Sequence, residues 1–162
     1  MSSWQNHSSD ERIAMIQTVG QDHNIEDNAV EKDWWVTIVL KALFNTSCGK
    51  WLLFKGGTSL SKGWNLINRF SEDIDISLDR SFFENVLNLT FAKCENNNQV
   101  KKLRKTSRDY IHGTLSAELD AELLKMGVKG YTIMNETVTG EPPRPIDHDS
   151  DPTIIFVNYE SI

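Results

Sequence analysis

Asp73 and Asp75 stand two apart in an apolar-alternating run, Asp73-Ile74-Asp75-Ile76, a short distance after Lys55-Gly56-Gly57-Thr58-Ser59-Leu60-Ser61-Lys62. Residues two apart on a strand face the same side. A strand here therefore projects two carboxylates next to each other, a poor structural choice and a good place for a divalent cation. The Gly-Gly pair upstream is backbone that lets a phosphate approach closely. The order is strand, tight turn, helix, then a second strand with paired carboxylates. It points to metal-dependent chemistry on a nucleotide.

Composition sets the frame for that order. The chain has 162 residues, 39% apolar and 25% charged, which suits one globular domain with a buried core. We read 1–162 as a single domain, with a helical part over 1–48 and a sheet-containing core over 49–162. The net charge of −6 argues against broad nucleic-acid binding, though not against a local basic patch. Cys48 and Cys94 lack metal-type spacing and are expected to be free thiols. The first ten residues are polar apart from Met1 and Trp4 and do not resemble a signal peptide. No apolar run nears the roughly 18 residues of a membrane span. The expected location is the cytoplasm, with no membrane partner.

Periodicity places the elements. Asp10 is a plausible N-cap for a helix carrying Ile13, Ile16 and Val19. A second helix is expected from near 26 to about 45, with Val30, Trp34, Trp35, Ile38, Val39, Ala42 and Leu43 as its apolar positions. Trp51 to Phe54 has the look of a buried strand, Thr58 to about Leu66 of a short helix, and Asp73 to Leu78 of the second strand. A helix starting near 79–81 carries Phe82 and Phe83. A long helix is expected from Val100 to about Met126, with Leu103, Tyr110, Leu115, Leu119, Leu123 and Leu124 inward and Gly113 as its weak point. Tyr131 to Met134 and Thr153 to Tyr159 read as strands, and the proline-rich stretch 136–152 as a loop. The class is α/β or α+β: a small mixed sheet flanked by helices, with a helical N-terminal region. Ending at Ile162, just after a strand, the chain is expected to be the N-terminal part of a longer protein.

The chemistry follows from the order of these pieces. A helix that starts at the glycine turn offers backbone N–H groups and a dipole to an anion. The N–H and hydroxyl groups of Thr58 and Ser59 are candidates to meet phosphate oxygens. If the two strands are neighbours, Asp73 and Asp75 lie beside those phosphates. Magnesium is commonly held by one or two carboxylates together with substrate phosphates and water, and Mn²⁺ is a close substitute. The reaction class is then nucleotidyl or phosphoryl transfer. Either motif alone is commonplace, since most Asp-x-Asp pairs are exposed strands or turns. The chain has neither Gly-x-x-x-x-Gly-Lys-Ser/Thr nor Gly-x-Gly-x-x-Gly.

Gly56-Gly57, a helix and Asp73-Ile74-Asp75 resemble the Gly-Gly/Ser … Asp-h-Asp signature of the DNA polymerase β-like nucleotidyltransferase superfamily. Lys55 to Lys62 with Arg69-Phe70-Ser71-Glu72-Asp73-Ile74-Asp75 is similar to one branch, the AbiEii/AbiGii toxin family. Glu31-Lys32-Asp33-Trp34-Trp35 and Pro152 to Ser161 resemble flanking segments of that family. The resemblance implies a toxin of a type IV toxin–antitoxin or abortive-infection system that moves a nucleotide from an NTP to an acceptor, with tRNA one candidate. It implies Asp73 and Asp75 as catalytic Mg²⁺ ligands, and Gly56, Gly57, Thr58, Ser59 and Lys62 as nucleotide-binding. A salt bridge on the helix surface is an equal reading for Lys62, and Arg69 and Glu72 support the site. A protein antitoxin is an implied partner. The family's later strand, with a further Lys and an acidic residue, would lie beyond Ile162. The alternative is therefore a degenerate, non-catalytic module that binds a nucleotide or an antitoxin.

Other features carry less. Lys101-Lys102-Leu103-Arg104-Lys105 is either a solvated helix face or an RNA contact. His148, between two aspartates, is a weak metal candidate in an acidic loop. Trp34, Trp35, Trp51 and Trp64 are expected in the core, and Cys48 is expected to be inert.

Overall fold

The computed structural model describes residues 2–66, 73–136, 138–147 and 152–162. Arg69, Glu72 and His148 lie outside the described residues. The chain opens with two helices, α1 (Ser9–His23) and α2 (Asp27–Asn45). Ser8, not Asp10, caps α1: its side chain accepts from the Glu11 N–H, and Glu11 returns a bond to the Ser8 N–H. That reciprocal pair satisfies two orphan donors at once, which a lone Asp cannot do.

A 3₁₀ turn then leads to β1 (Leu52–Lys55), followed directly by α3 (Gly56–Thr58) and a π-helical turn over Ser59–Gly63. β2 (Asp75–Leu78) returns antiparallel to β1, pairing Leu52 with Leu78, Phe54 with Ile76 and Lys55 with Asp75. α4 (Arg80–Asn85) starts at once, because Asp79 accepts from the N–H and hydroxyl of Ser81. Those bonds, hydroxyl first, hold the Asp79 carboxyl below its ordinary range.

The long helix expected over 100–126 exists as α5 (Asn97–Tyr110) and α6 (Ser116–Lys125), joined without a break by a π turn at Ile111–Leu115. The π turn has a simple cause. Leu103 and Tyr110 are seven apart, whereas Tyr110 and Leu115 are five apart. An i→i+5 turn absorbs that step and keeps both apolar stripes on the core. Leu115, Leu119 and Leu123 are buried, whereas Leu124, expected inward, is 60% exposed.

β3 (Tyr131–Asn135) pairs antiparallel with β6 (Ile155–Tyr159). Within the stretch read as loop, β4 (Val138–Thr139) and β5 (Arg144–Pro145) form a small hairpin. The α+β class holds. Among the described residues, however, the strands pair as separate antiparallel ribbons and not as one mixed sheet.

One core joins these pieces. Trp35, Ile38, Val39, Ala42 and Leu43 of α2 meet Leu119 and Leu123 of α6, Phe82 and Phe83 of α4, and Leu52 of β1. Ile74, Ile76 and Leu78 pack against it from β2 and its lead-in, and Tyr159 stacks on Trp35 with ring centroids 4.6 Å apart. Of the expected core tryptophans, Trp35 is buried and Trp34 and Trp51 half-buried, while Trp64 is 70% exposed. Cys48 is a fully buried free thiol. Leu123 is completely buried between α2 and its surroundings. Leu123→Ala should cost about 3–5 kcal/mol, the transfer term plus the cavity. Urea unfolding measures this directly, and a loss under about 1 kcal/mol would contradict the packing described.

Candidate functional site

β1 and β2 set two rows of side chains. Leu52 and Phe54 face inward opposite Leu78 and Ile76, so Lys55 and Asp75 face outward as a cross-strand pair. Asp73 lies two residues before Asp75, just ahead of β2, and both aspartates are exposed while Ile74 between them is half-buried. The two strands are thus neighbours, and the alternation puts both carboxylates on the solvent side.

The glycine turn sits against them. Gly56 has φ +74°, which favours glycine. A Cβ placed there would lie 2.0 Å from Oδ2 of Asp75, 2.8 Å from its Cγ and 2.9 Å from its Cβ. Only glycine allows the start of α3 and the Asp75 carboxylate to share this space. Lys55, the N-cap of α3, makes no side-chain cap bond. The first N–H groups of a helix have no partner inside it. In this short helix they begin at Gly56, the residue that lies against the Asp75 carboxylate.

Thr58 and Ser59 do something the sequence did not suggest. Both are buried, at 1% and 5% exposure. The Thr58 hydroxyl donates to the carbonyl of Asp73, and the Ser59 hydroxyl donates to the carbonyl of Phe54 at 3.2 Å. These hydroxyls bind the helix to both strands. Thr58 in particular fixes the backbone that carries Asp73. The Ser59 N–H is also taken, because it donates to the Gly56 carbonyl. What this pair can still offer an anion is the Thr58 N–H.

Lys62 lies in the π turn, with Nζ 2.6 Å from Oδ1 of Asp33 and 3.0 Å from the Thr37 hydroxyl. Its ammonium is thus tied to α2, the second of the two readings of this residue. Glu31, one helical turn before Trp35, is buried at 4% and accepts from the Ser161 hydroxyl at 2.5 Å. The Glu31-Lys32-Asp33 segment therefore braces two parts of the chain: the helix after the glycine turn, and the segment after β6. Sequence reasoning noted that segment without a role. The available signal was a carboxylate placed on the apolar stripe of α2.

Asp73 and Asp75 supply hard carboxylate oxygens, the donor type Mg²⁺ and Mn²⁺ prefer. Among the described residues no group of three or more His, Cys, Asp or Glu is gathered for a metal. The donor set fits an ion completed by substrate phosphates and water, and not a closed structural metal site. No helix among the described residues is long and apolar enough to cross a membrane.

Neither curated proteins nor solved structures give a match. A family model described as "Nucleotidyl transferase AbiEii toxin, Type IV TA system" matches residues 38–160, a span that holds β1, the glycine turn, both aspartates and β6. That span covers most of the chain, which therefore belongs to the AbiEii nucleotidyl transferase toxin family.

Proposed function

We propose that the chain transfers a nucleotidyl group from an NTP to an acceptor hydroxyl, with Mg²⁺ or Mn²⁺ held by Asp73 and Asp75, as the toxin of a type IV toxin–antitoxin pair. The observation that supports this reading is the close approach of Gly56 to the Asp75 carboxylate, which brings the start of the glycine-turn helix beside the aspartate pair. The N–H groups of Gly56, Gly57 and Thr58 receive the triphosphate, and Ser59, whose N–H donates to the Gly56 carbonyl and whose hydroxyl donates to that of Phe54, holds the turn in shape. A bound divalent ion would supply charge neutralisation for the phosphates and polarise the reacting one. The acceptor oxygen bonds to the α-phosphorus, the bond from that phosphorus to the bridging oxygen breaks, and pyrophosphate leaves with the electron pair. The acceptor proton passes to a base. Asp73 and Asp75 hold their oxygens in place through the Thr58 bond and the β1–β2 register. A tRNA is the candidate acceptor, and a protein antitoxin the candidate partner.

Incubation with α-labelled NTPs, Mg²⁺ and total tRNA tests the reading: label should enter RNA with release of pyrophosphate. Absence of both products under Mg²⁺ and Mn²⁺ would reject transfer, and retained NTP binding in that case would leave a binding module.

Lys62 is the residue whose role divides most cleanly. On this reading its ammonium leaves Asp33 for a phosphate when NTP binds. Lys62→Ala should weaken NTP binding about tenfold, as expected for a lost charge-assisted bond. Asp33→Asn should leave NTP affinity equal or higher. Both should change stability by less than about 1 kcal/mol, because the pair is partly exposed. Equal loss of affinity in both variants would assign Lys62 to bracing alone.

A further inference from the structure

Charge is unevenly distributed in this chain. Residues 90–110 hold six cations, Lys93, Lys101, Lys102, Arg104, Lys105 and Arg108, against Glu95 and Asp109. That is +4 locally in a chain of net −6, so the remainder carries −10. Lys93, Lys101, Lys102, Arg104 and Lys105 are exposed. On α5, positions 101, 104 and 105 share one exposed face by the i, i+3, i+4 rule, and Arg108, next along that row, is buried. Lys102 lies beside that row with Nζ 4.4 Å from the Phe91 ring centroid, in the turn that also carries Lys93.

Helix stability does not account for this row. Like charges at i, i+4 repel, and cations near a helix N-terminus oppose its dipole. α5 has no acidic residue in its first turn to offset them. Among the described residues, no carboxylate forms an ion pair with Lys101, Lys102 or Lys105. An ordinary solvated face intersperses both signs.

The occupant follows from what the face lacks. An amphipathic membrane helix needs an apolar side to insert, and that side of α5 is turned inward, with Leu103 and Tyr110 packed on the core. A protein partner needs buried aromatic or aliphatic anchors, and the exposed row offers none. A phosphate backbone needs only a row of cations, and the acidic remainder repels it from the rest of the surface. Asn97 and Asn98, exposed at the start of α5, present amides that both donate and accept, matching a ribose 2′-hydroxyl.

We propose that the exposed face of α5, formed by Lys101, Lys102, Arg104 and Lys105 with Asn97 and Asn98 at its start, docks the phosphate backbone of an RNA. That this RNA is the acceptor rests on the transferase reading; its binding to α5 does not.

Fluorescence anisotropy with a labelled RNA hairpin bearing a 3′ overhang, across about 50–200 mM salt, tests this. Wild type should bind with an affinity that falls as salt rises. Lys101→Glu/Lys105→Glu should bind at least about tenfold more weakly at low salt, with a salt slope reduced by about 1.5. Its melting temperature should equal or exceed that of wild type, since like-charge repulsion on α5 is relieved, and its NTP affinity by calorimetry should match wild type. A DNA hairpin of the same sequence, polyglutamate and anionic vesicles should each bind more weakly. Undetectable RNA binding by wild type, equal RNA binding by the variant, or equal affinity for any of those competitors would overturn the proposal. Loss of NTP binding with α5-dependent RNA binding intact would reject the transferase reading and leave this one standing.

Discussion

Gly56→Ala should lose NTP binding by at least about tenfold and lower stability by about 1–3 kcal/mol. Two effects combine. A φ of +74° strains any residue with a Cβ, typically by 1–3 kcal/mol. The new methyl also falls 2.0 Å from Asp75 Oδ2 and 2.9 Å from Asp75 Cβ. Rotating the carboxylate away does not relieve the second contact, so the strand or the turn must move. Gly127 separates the two effects. Its φ is +73°, and a Cβ there meets nothing within 4 Å. Gly127→Ala should carry the conformational cost alone and leave NTP binding unchanged. Urea unfolding and calorimetry on both variants make the comparison. If the two behave alike, the approach of the turn to Asp75 has no functional meaning.

The second large effect concerns the carboxylates themselves. Asp73→Asn and Asp75→Asn each remove a charged oxygen donor while keeping shape. Removing groups that merely orient metal ligands costs about 10–100-fold in affinity or activity, so a direct ligand should cost on the order of 100-fold or more in kcat/KM for transfer. Stability should change by no more than about 0.5 kcal/mol, because both side chains are exposed. A thermal melt alongside the transfer assay separates the two readouts. Activity within about threefold of wild type in either variant would remove that residue from the site.

How far these features can be read from sequence depends on the range of the interactions behind them. The Asp73–Asp75 alternation and the pairing of the strands around the glycine turn were legible, because period-two patterning and a Gly-Gly break are local signals. The Ser8 cap is also a local signal, in Ser8-x-x-Glu11, where Asp10 alone offers only half of the reciprocal pair. The π turn at 111–115 was hidden: it answers a five-residue step between Tyr110 and Leu115 that matters only when both must reach one core. The β4–β5 hairpin pairs Val138 with Pro145 across a proline-rich stretch that composition alone reads as loop. The inward bonds of the Thr58 and Ser59 hydroxyls, and the ties from Lys62 to Asp33 and from Ser161 to Glu31, depend on how distant segments meet. Spacing carries no record of such contacts.

Two contacts of distant segments converge on α2. Lys62 and Ser161 are far apart in sequence, yet both end on residues 31–33. Burial of Glu31 beside Trp35 makes that helix a common anchor for the glycine-turn helix and the segment after β6.

The central claim is that Asp73 and Asp75 hold a divalent ion against a triphosphate seated at the glycine turn. Calorimetric titration of NTP into the protein with Mg²⁺ and then with excess chelator, repeated on Asp73→Ala/Asp75→Ala, tests it most directly. The account predicts binding that needs Mg²⁺ in the wild type and disappears in the double variant. Equal affinity in the chelated wild type, or in the double variant, would contradict it.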